Sequence, residues 1–329
     1  MNQLSSLSKT ILASSLFLFG GCVVHISPSV ASVEREQKLS LAAQPITQLA
    51  IDSAAGELTI VGENREDILL NATIVTVNED DPFTLTLTAN NNKAVLIAKN
   101  DSSTGMQFYN GESPHIDVEL RVPARLLLDI EDSSGNISIK NMSNGIVIQD
   151  GSGNIDIDGG LSLEIEDGSG NINAENIQGQ VSIDDGSGNI ELSHVAGTLI
   201  IEDESGDIHI ADIKGDTVIN DGSGNISLSN LSGSAVIDDE SGDLSVSKVQ
   251  GKVSIEDGSG NIDVEHVAQA VVINDQSGNI DVNHIDATVT IKDGSGHIRV
   301  NDSKGLTVIE SGSGGLSIDN INGPVKLDN

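Results

Sequence analysis

One aspartate recurs along much of this 329-residue chain at a regular spacing that could build a row of chemical sites. The interval is 18 residues, with a single step of 17 residues, and Ser311 takes the eleventh place. We call the set the Asp column, and its members are Asp132, Asp150, Asp167, Asp185, Asp203, Asp221, Asp239, Asp257, Asp275 and Asp293. Each precedes a Ser-Gly turn, and a carboxylate can accept hydrogen bonds from the backbone N–H groups of such a turn. The column would therefore cap ten turns. Carboxylates are also ligands for hard cations, and a row of calcium sites is the alternative.

Histidine and arginine residues in the same repeats suggest two other kinds of site. His194, His266 and His284 take equivalent places, and the last two are in adjacent repeats, where they could share a transition metal. Two ligands without a third are weak support for such a site. Arg299 falls one repeat after Asp281, and it is either a catalytic cation of a lyase-like groove or half of an ion pair across neighbouring strands. No cluster of unmatched charges surrounds it, so we expect the ion pair and no catalytic residues.

The first 22 residues follow the plan of a cleavable export signal. A cation at Lys9 precedes an apolar run over residues 11–19, which is too short to span a bilayer. Residues 18–22, Leu-Phe-Gly-Gly-Cys, resemble a bacterial lipobox, which implies that Cys22 is acylated and becomes the new N-terminus. Cys22 is the only cysteine, and an ordinary secretory signal with an incidental cysteine is the alternative. Val23 follows the cysteine, and the lack of Asp at this place is what the resemblance associates with outer-membrane sorting.

Composition limits the partners of the chain. The 50 acidic residues outnumber 16 basic ones, and the formal charge of −34 repels nucleic acid and anionic lipid head groups. Cations are the natural small partners of such a surface. No aromatic residue follows Tyr109, so the repeats lack the stacking surfaces that usually bind sugars or bases.

The spacing of apolar residues around each aspartate predicts the architecture. Before Asp257, Val253 and Ile255 are two residues apart, and Ile262 and Val264 follow with the same spacing. Residues two apart point to the same side of a strand, so each repeat is two short strands and two turns. One repeat cannot bury its own aliphatics, which argues against an antiparallel meander and favours a stack in register. We therefore predict an all-β, single-stranded parallel β-helix of 18-residue rungs, right-handed by the crossover rule.

Asparagine recurs in the turn after each aspartate and predicts an amide ladder, in which each side chain bonds to the next along the stack. The ladder residues are Asn136, Asn154, Asn171, Asn189, Asn225, Asn261 and Asn279.

Changes of pattern divide the chain into four parts. Residues 1–22 are the signal, and residues 23–45 have no sustained apolar period and are interpreted as a flexible tether. Residues 46–125 carry alternating runs of unequal spacing, which predict an irregular N-terminal β cap. Within that cap, residues 49–52 (Leu-Ala-Ile-Asp) look like a degenerate copy of the later repeat. Residues 126–329 form the β-helix repeats.

One position that should point outward is apolar in three consecutive repeats. Ile200, Val218 and Val236 each stand three residues before an aspartate of the column, and we call them the apolar stripe. An alternating strand is expected to carry polar residues on its outer side. The stripe is therefore an interface that docks another molecule, a surface covered by the N-terminal strands, or only the β-branched preference of a strand position.

Repeats of the form Asp-x-Ser-Gly-[Asn/Asp]-Ile-x-[Val/Ile], preceded by Val122-Pro123-Ala124, resemble a bacterial β-strand-repeat family regarded as candidate adhesins. The resemblance covers roughly residues 46–329, implies the β-helix fold, and supplies no catalytic residues. The calcium-binding nonapeptide β-roll is a weaker resemblance. Its aspartate follows the Gly-rich turn, whereas here the aspartate precedes it, so the ligand set of that family cannot be transferred.

Together these features predict a non-enzymatic envelope lipoprotein that presents a rigid acidic β-helix as an adhesin-like binding or scaffold module. We expect it to be held at the outer membrane by its lipid, facing the periplasm or the cell surface. Its partner would be a protein or polysaccharide of the envelope, and not nucleic acid. The alternative is a calcium-dependent, carbohydrate-active β-helix enzyme. An active site would interrupt the repetition, and the departures here are mild: Lys292, His297, Arg299, Lys304 and Ser311.

Overall fold

The computed structural model describes residues 25–26, 33–100 and 113–328. These residues form 29 strands and no α-helix. Within the same ranges, no helix has the length and hydropathy needed to cross a membrane. The predicted export signal and Cys22 lie outside the described residues.

The strands, in chain order, are β1 (His25–Ile26), β2 (Val33–Ala42), β3 (Gln48–Ser53), β4 (Leu58–Glu63), β5 (Asp67–Thr76), β6 (Phe83–Asn90), β7 (Lys93–Asn100), β8 (His115–Pro123), β9 (Leu127–Asp132), β10 (Ile137–Lys140), β11 (Ile146–Asp150), β12 (Ile155–Gly160), β13 (Leu163–Asp167), β14 (Ile172–Ile177), β15 (Val181–Asp185), β16 (Ile190–Val195), β17 (Leu199–Asp203), β18 (Ile208–Ile213), β19 (Thr217–Asp221), β20 (Ile226–Leu231), β21 (Ala235–Asp239), β22 (Leu244–Val249), β23 (Val253–Asp257), β24 (Ile262–Val267), β25 (Val271–Asp275), β26 (Ile280–Asp293), β27 (Ile298–Ser311), β28 (Leu316–Ile321) and β29 (Val325–Leu327).

From β9 onward the chain coils, and each turn adds one strand to each of two parallel columns. One column contains β21, β23 and β25, and the other contains β20, β22 and β24. The register is that of the repeat, since Asp239 aligns with Asp257 and Leu244 aligns with Ile262. The predicted parallel β-solenoid of about 11 turns with roughly 18-residue rungs is therefore confirmed.

The hydrophobic core runs through the stack as far as β27 as columns of identical or similar aliphatics, and Leu316, Val325 and Leu327 of the last turn are exposed. Val253, Ile255, Ile262 and Val264 are each at most 1% exposed, as the two-residue spacing predicts. Full burial of one such side chain contributes about 1.5–3 kcal/mol, but a single turn offers only a few of them. The core therefore exists only because neighbouring turns cover one another.

The N-terminal region begins with turns of the same solenoid. β3 aligns in parallel with β9, and β4 aligns in parallel with β10, so that Ile51 stands beside Ile130 and Ile60 stands beside Ile139. The degenerate repeat seen in the sequence is thus a true turn. β7 and β8 extend the two columns by one more strand each.

Antiparallel strands then close the N-terminal end. β6 pairs antiparallel with β7 in one column, and β5 pairs antiparallel with β8 in the other. Because β2 covers the remaining edge of β5, the backbone groups of β5 are paired on both sides within the chain and are not left as a template for other chains.

The tether predicted over residues 23–45 is wrong for part of its length. Val33–Ala42 form β2, which pairs along its whole length with β5. The side chains of Arg35 and Gln37 are only half-buried, and Leu39 and Leu41 alone are buried in the core. The sequence therefore shows no apolar period, because charged and amide side chains take inward positions that aliphatics usually hold.

The asparagine ladder forms mainly between side chain and backbone. The Oδ1 atom of each ladder residue accepts a hydrogen bond from the backbone N–H of the equivalent residue one turn later, as Asn171 Oδ1 does from the N–H of Asn189 at 3.0 Å. Asp207 and Asp243 take two places in the ladder and accept the same bond. Side-chain amides also bond directly in some turns, as from Asn279 Nδ2 to Asn261 Oδ1 at 2.9 Å. The ladder thus satisfies one backbone donor in each turn.

Glycine is required where the turns after the Asp column stack most closely. Gly224 has a φ of +150°, and a Cβ built on it would lie 1.7 Å from the carbonyl oxygen of Gly206 in the preceding turn. Gly160 differs, because its φ is not positive and a Cβ there would lie 3.3 Å from the Cδ1 atom of Ile146, the mobile end of a side chain.

Replacing Gly224 by Ala is therefore expected to destabilise the solenoid strongly, since both the backbone conformation and the space are incompatible with a side chain. We expect the free energy of unfolding to fall by about 2 kcal/mol or more, from backbone strain combined with the displaced turn. Gly160→Ala is the matched control and should change it by less than about 1 kcal/mol. Urea unfolding followed by circular dichroism measures both. Equal losses in the two variants would contradict the role given to the stacked turn.

Candidate functional site

The Asp column lies inside the solenoid. Each aspartate is the last residue of a strand, and it aligns with its equivalent in the next turn, as Asp221 does with Asp239. All ten side chains are between 0% and 7% exposed. They point inward because they share the alternation of the aliphatic residues two and four positions earlier.

One carboxylate oxygen of each aspartate is hydrogen-bonded. In nine of them Oδ1 accepts the backbone N–H of the serine two residues later, at 2.8 to 3.2 Å. This is the bond that a turn cap requires. Asp132 begins the column and instead accepts a hydrogen bond from the Ser53 hydroxyl.

Ser53 is a member of this column that the sequence interpretation missed. It aligns with Asp132 in β3, and Ser311 aligns with Asp293 at the other end, so a serine stands at each end of the ten aspartates. The signal was available, because Ser53 follows the degenerate repeat at the place where later repeats carry aspartate.

The second carboxylate oxygen has no partner. Oδ2 of every member of the Asp column is buried and makes no hydrogen bond. Transfer of a charged oxygen into such surroundings is costly, and the equivalent carboxylate stands one turn away, roughly 4.8 Å along the stack. Both effects favour the protonated form.

Burial and, after it, the charge of neighbouring carboxylates raise the pKa values of the column. Burial raises the pKa of Asp203 and Asp257 to about 7. It raises to about 6 the pKa of Asp150, Asp185, Asp221, Asp239 and Asp275. The pKa values of Asp132, Asp167 and Asp293 are also raised by burial. Outside the column, the carboxylates whose negative charge also raises these pKa values are Asp184, Asp207, Asp238, Glu240 and Glu310.

Protons and cations are the two species that could neutralise the column. In the described ranges, no group of three or more His, Cys, Asp or Glu side chains is arranged to hold a metal ion. The calcium sites considered from the sequence stay a prediction, whereas the buried Oδ2 atoms and raised pKa values favour carboxyl groups that take up protons as the pH falls through about 7 to about 6.

The column therefore predicts a solenoid that becomes more stable as the pH falls from about 8 to about 5. The native pKa values lie above the value of 3.8 for an ordinary aspartate, so the native state binds more protons than the unfolded chain between those limits. This stabilisation is complete below the unfolded pKa and is lost as pH rises through about 6 to 7. A tenfold change in proton affinity corresponds to about 1.4 kcal/mol, so ten groups should change the free energy of unfolding by several kcal/mol.

The measurement is urea unfolding at a series of pH values. Asp239→Asn should reduce the pH dependence, whereas the same substitution at the exposed Asp319 should leave it unchanged. EDTA distinguishes protonation of the column from calcium binding. If calcium is bound, chelation at about pH 8 should lower the melting temperature. A solenoid whose stability is independent of pH, or rises with pH, would contradict the protonated column.

The apolar stripe lies on the outside of the solenoid. Ile200 aligns with Val218, and Val218 aligns with Val236, so the three form one continuous line across three turns. Their side chains are 36%, 36% and 48% exposed. The line continues through Ser254 to Val272, which is 45% exposed.

The N-terminal strands do not cover the stripe. They stack on β9 and β10 at the end of the solenoid, while the stripe lies on β17, β19 and β21, several turns away along the same columns. The covered-surface interpretation is therefore wrong, and the interface and the β-branched preference are left as alternatives.

The histidines and Arg299 lie on the outside of other strands. The rings of His266 and His284 stack with their centroids 4.9 Å apart, and Nε2 of His284 is 3.6 Å from Asp302 Oδ2. Arg299 Nη1 donates to Asp281 Oδ2 at 2.8 Å, which confirms the predicted ion pair between neighbouring strands.

Comparisons with known proteins address the family and the fold. The sequence pattern of the family described as Toastrack DUF4097 matches residues 46–230 and 214–320. No curated protein matches the chain. Similar solved structures include a candidate cell adhesion protein from Clostridium sporogenes, with 10% identity, a TM-score of 0.25 and coverage of 70% of this chain and 99% of that one. A candidate adhesin from Bacteroides fragilis has 11% identity, a TM-score of 0.26 and coverage of 89% and 96%.

Proposed function

This chain belongs to the Toastrack family DUF4097, and we propose that within this fold it is a non-enzymatic envelope lipoprotein whose rigid acidic solenoid acts as an adhesin-like binding or scaffold module. The apolar stripe is the observation that carries the proposal. Three aligned aliphatics, each exposed by more than a third, lie where an alternating strand would carry polar groups. Aligned exposed apolar residues are typical of interaction sites.

The regularity of the solenoid supports a role in binding and not in catalysis. An active site interrupts a repeat with unique groups that face one another. Two of the cationic departures near the C-terminal end are instead paired with acids one turn earlier, Arg299 with Asp281 and Lys304 with Asp286. These pairs reduce repulsion on an acidic surface and leave the stacking unchanged.

Rigidity supports the same role. Every turn repeats the backbone of its neighbours, so the stripe, the ladder and the outward charges are held at fixed spacing along the stack. A partner that binds several turns at once meets a surface whose groups do not have to be ordered first, which lowers the entropic cost of binding.

The membrane anchor is the part of the proposal that rests on the sequence alone. Cys22→Ser should move the protein from the membrane fraction to the soluble fraction, because one acyl-bearing cysteine is the only anchor in the proposal. Fractionation with metabolic labelling by a fatty acid measures both the location and the lipid. Unlabelled wild-type protein that is soluble and keeps a free thiol would contradict the anchor.

The binding surface is tested by charging the stripe. The double variant Val218→Lys and Val236→Lys should melt within a few degrees of the parent, because both side chains are exposed, yet should lose cross-linking to envelope partners. The control is Ser227→Lys with Ser245→Lys, which changes an outward pair of the other strand column at the same two turns. The proposal fails if the stripe variant keeps all its cross-linked complexes, or if the control loses them equally. The stripe would then reflect only the preference of strand positions for β-branched residues.

A further inference from the structure

A line of carboxylates runs beside the apolar stripe. The outward residue two positions further along each strand belongs to a column that aligns Asp184 with Glu202, and Asp238 with Glu256, with Asn220 between Glu202 and Asp238. Residues two apart on a strand are roughly 6.6 Å apart, so the acidic line and the stripe run side by side along the stack.

Two cavities open between this line and the turn that follows it. One has a volume of about 400 Å³ and the other about 440 Å³, and both are lined by Asp238 and Glu240. They therefore form one elongated depression, which we call the acidic groove. Its exposed carboxylates are Asp184, Glu202, Glu204, Asp238, Glu240 and Glu256.

The charge of the acidic groove is not neutralised within the described part of the chain. None of the ion pairs formed there involves the six carboxylates. A cationic group placed in the groove would gain from the six exposed carboxylates.

Resting on the proposed function, we infer that the partner of this surface is a basic protein segment that carries aliphatic side chains. The aliphatics would pack on Ile200, Val218 and Val236, and lysine or arginine side chains would reach the acidic groove beside them. An anionic lipid surface or nucleic acid would be repelled by the groove. A polysaccharide would find no aromatic side chain in the repeats on which to stack.

The spacing of the surface defines the partner more closely. Turns are roughly 4.8 Å apart along the stack. The turns of Ile200 and Val236 each place an aliphatic side chain beside an exposed carboxylate, Glu202 or Asp238, and Asn220 takes the acidic place in the turn between them. The free energy of binding is then the sum of several modest contacts, and no single residue supplies most of it. Binding of this kind weakens as salt screens the exposed charges.

The test uses the full-length protein and short synthetic peptides, with binding followed by fluorescence anisotropy at two salt concentrations. A peptide of alternating Lys and Val should bind, and a Lys/Ser or Glu/Val peptide of the same length should bind roughly tenfold more weakly or not at all. Binding of the Lys/Val peptide should weaken at the higher salt concentration.

Two variants separate the contributions of the surface. Glu202→Gln with Asp238→Asn and Glu240→Gln removes charge from the acidic groove, and Val218→Ser with Val236→Ser removes the apolar contact. Each should weaken binding of the Lys/Val peptide by roughly tenfold, as the loss of a few exposed ion pairs or aliphatic contacts implies. The control, Glu175→Gln with Glu191→Gln and Glu265→Gln, removes as many charges from the other strand column and should change affinity by less than roughly twofold.

Four results would overturn the inference. Equal weakening in the control would mean that only net charge matters, and equal binding of the Lys/Ser peptide would remove the role of the stripe. Failure of all peptides to bind, or binding of a neutral glucan in their place, would assign the wrong partner class. The proposed function is decided separately, by whether Val218→Lys with Val236→Lys loses its cross-linked complexes in the envelope.

Discussion

Parallel stacking in register is the constraint on which the rest of the structure depends. Each residue lies against its equivalent in the next turn, so any residue type in the repeat must be compatible with a copy of itself. Aliphatics meet this condition through packing, as where Ile255 aligns with Ile273. Asparagine meets it because its side chain accepts a backbone N–H of the next turn. Glycine in the turn meets it because the carbonyl of the previous turn leaves no space for a side chain.

Aspartate meets the condition better when protonation removes its charge. Ten buried carboxylates in one line would repel one another, and each has an oxygen without a partner. A protonated carboxyl keeps the Oδ1 atom that caps the turn and removes the repulsion. The serines at the two ends of the line are consistent with this account, since Ser53 donates its hydroxyl to Asp132 and carries no charge. The stack therefore depends on solution pH in a way that its apolar core does not.

Much of the fold could be predicted because the repeat displays the register directly. Two strands per repeat, their parallel alignment and the turn formed by β3 and β4 all follow from spacing. The burial of the Asp column was missed although its signal was present, since each aspartate shares the alternation of residues that are plainly internal. β2 was missed for the opposite reason, because Arg35 and Gln37 take inward positions there and erase the pattern that marks a strand.

The same constraint shapes what the outside of the solenoid can recognise. A column that faces outward repeats at every turn, so a surface built this way presents lines of similar groups and not a pocket of different ones. Specificity must then come from which lines are neighbours. Here an apolar line adjoins an acidic line whose charges lack partners among the described residues, and few partners offer both complements at that separation. A binding surface of this kind can gain affinity by adding turns, which explains why a long and nearly uniform stack suits recognition better than catalysis.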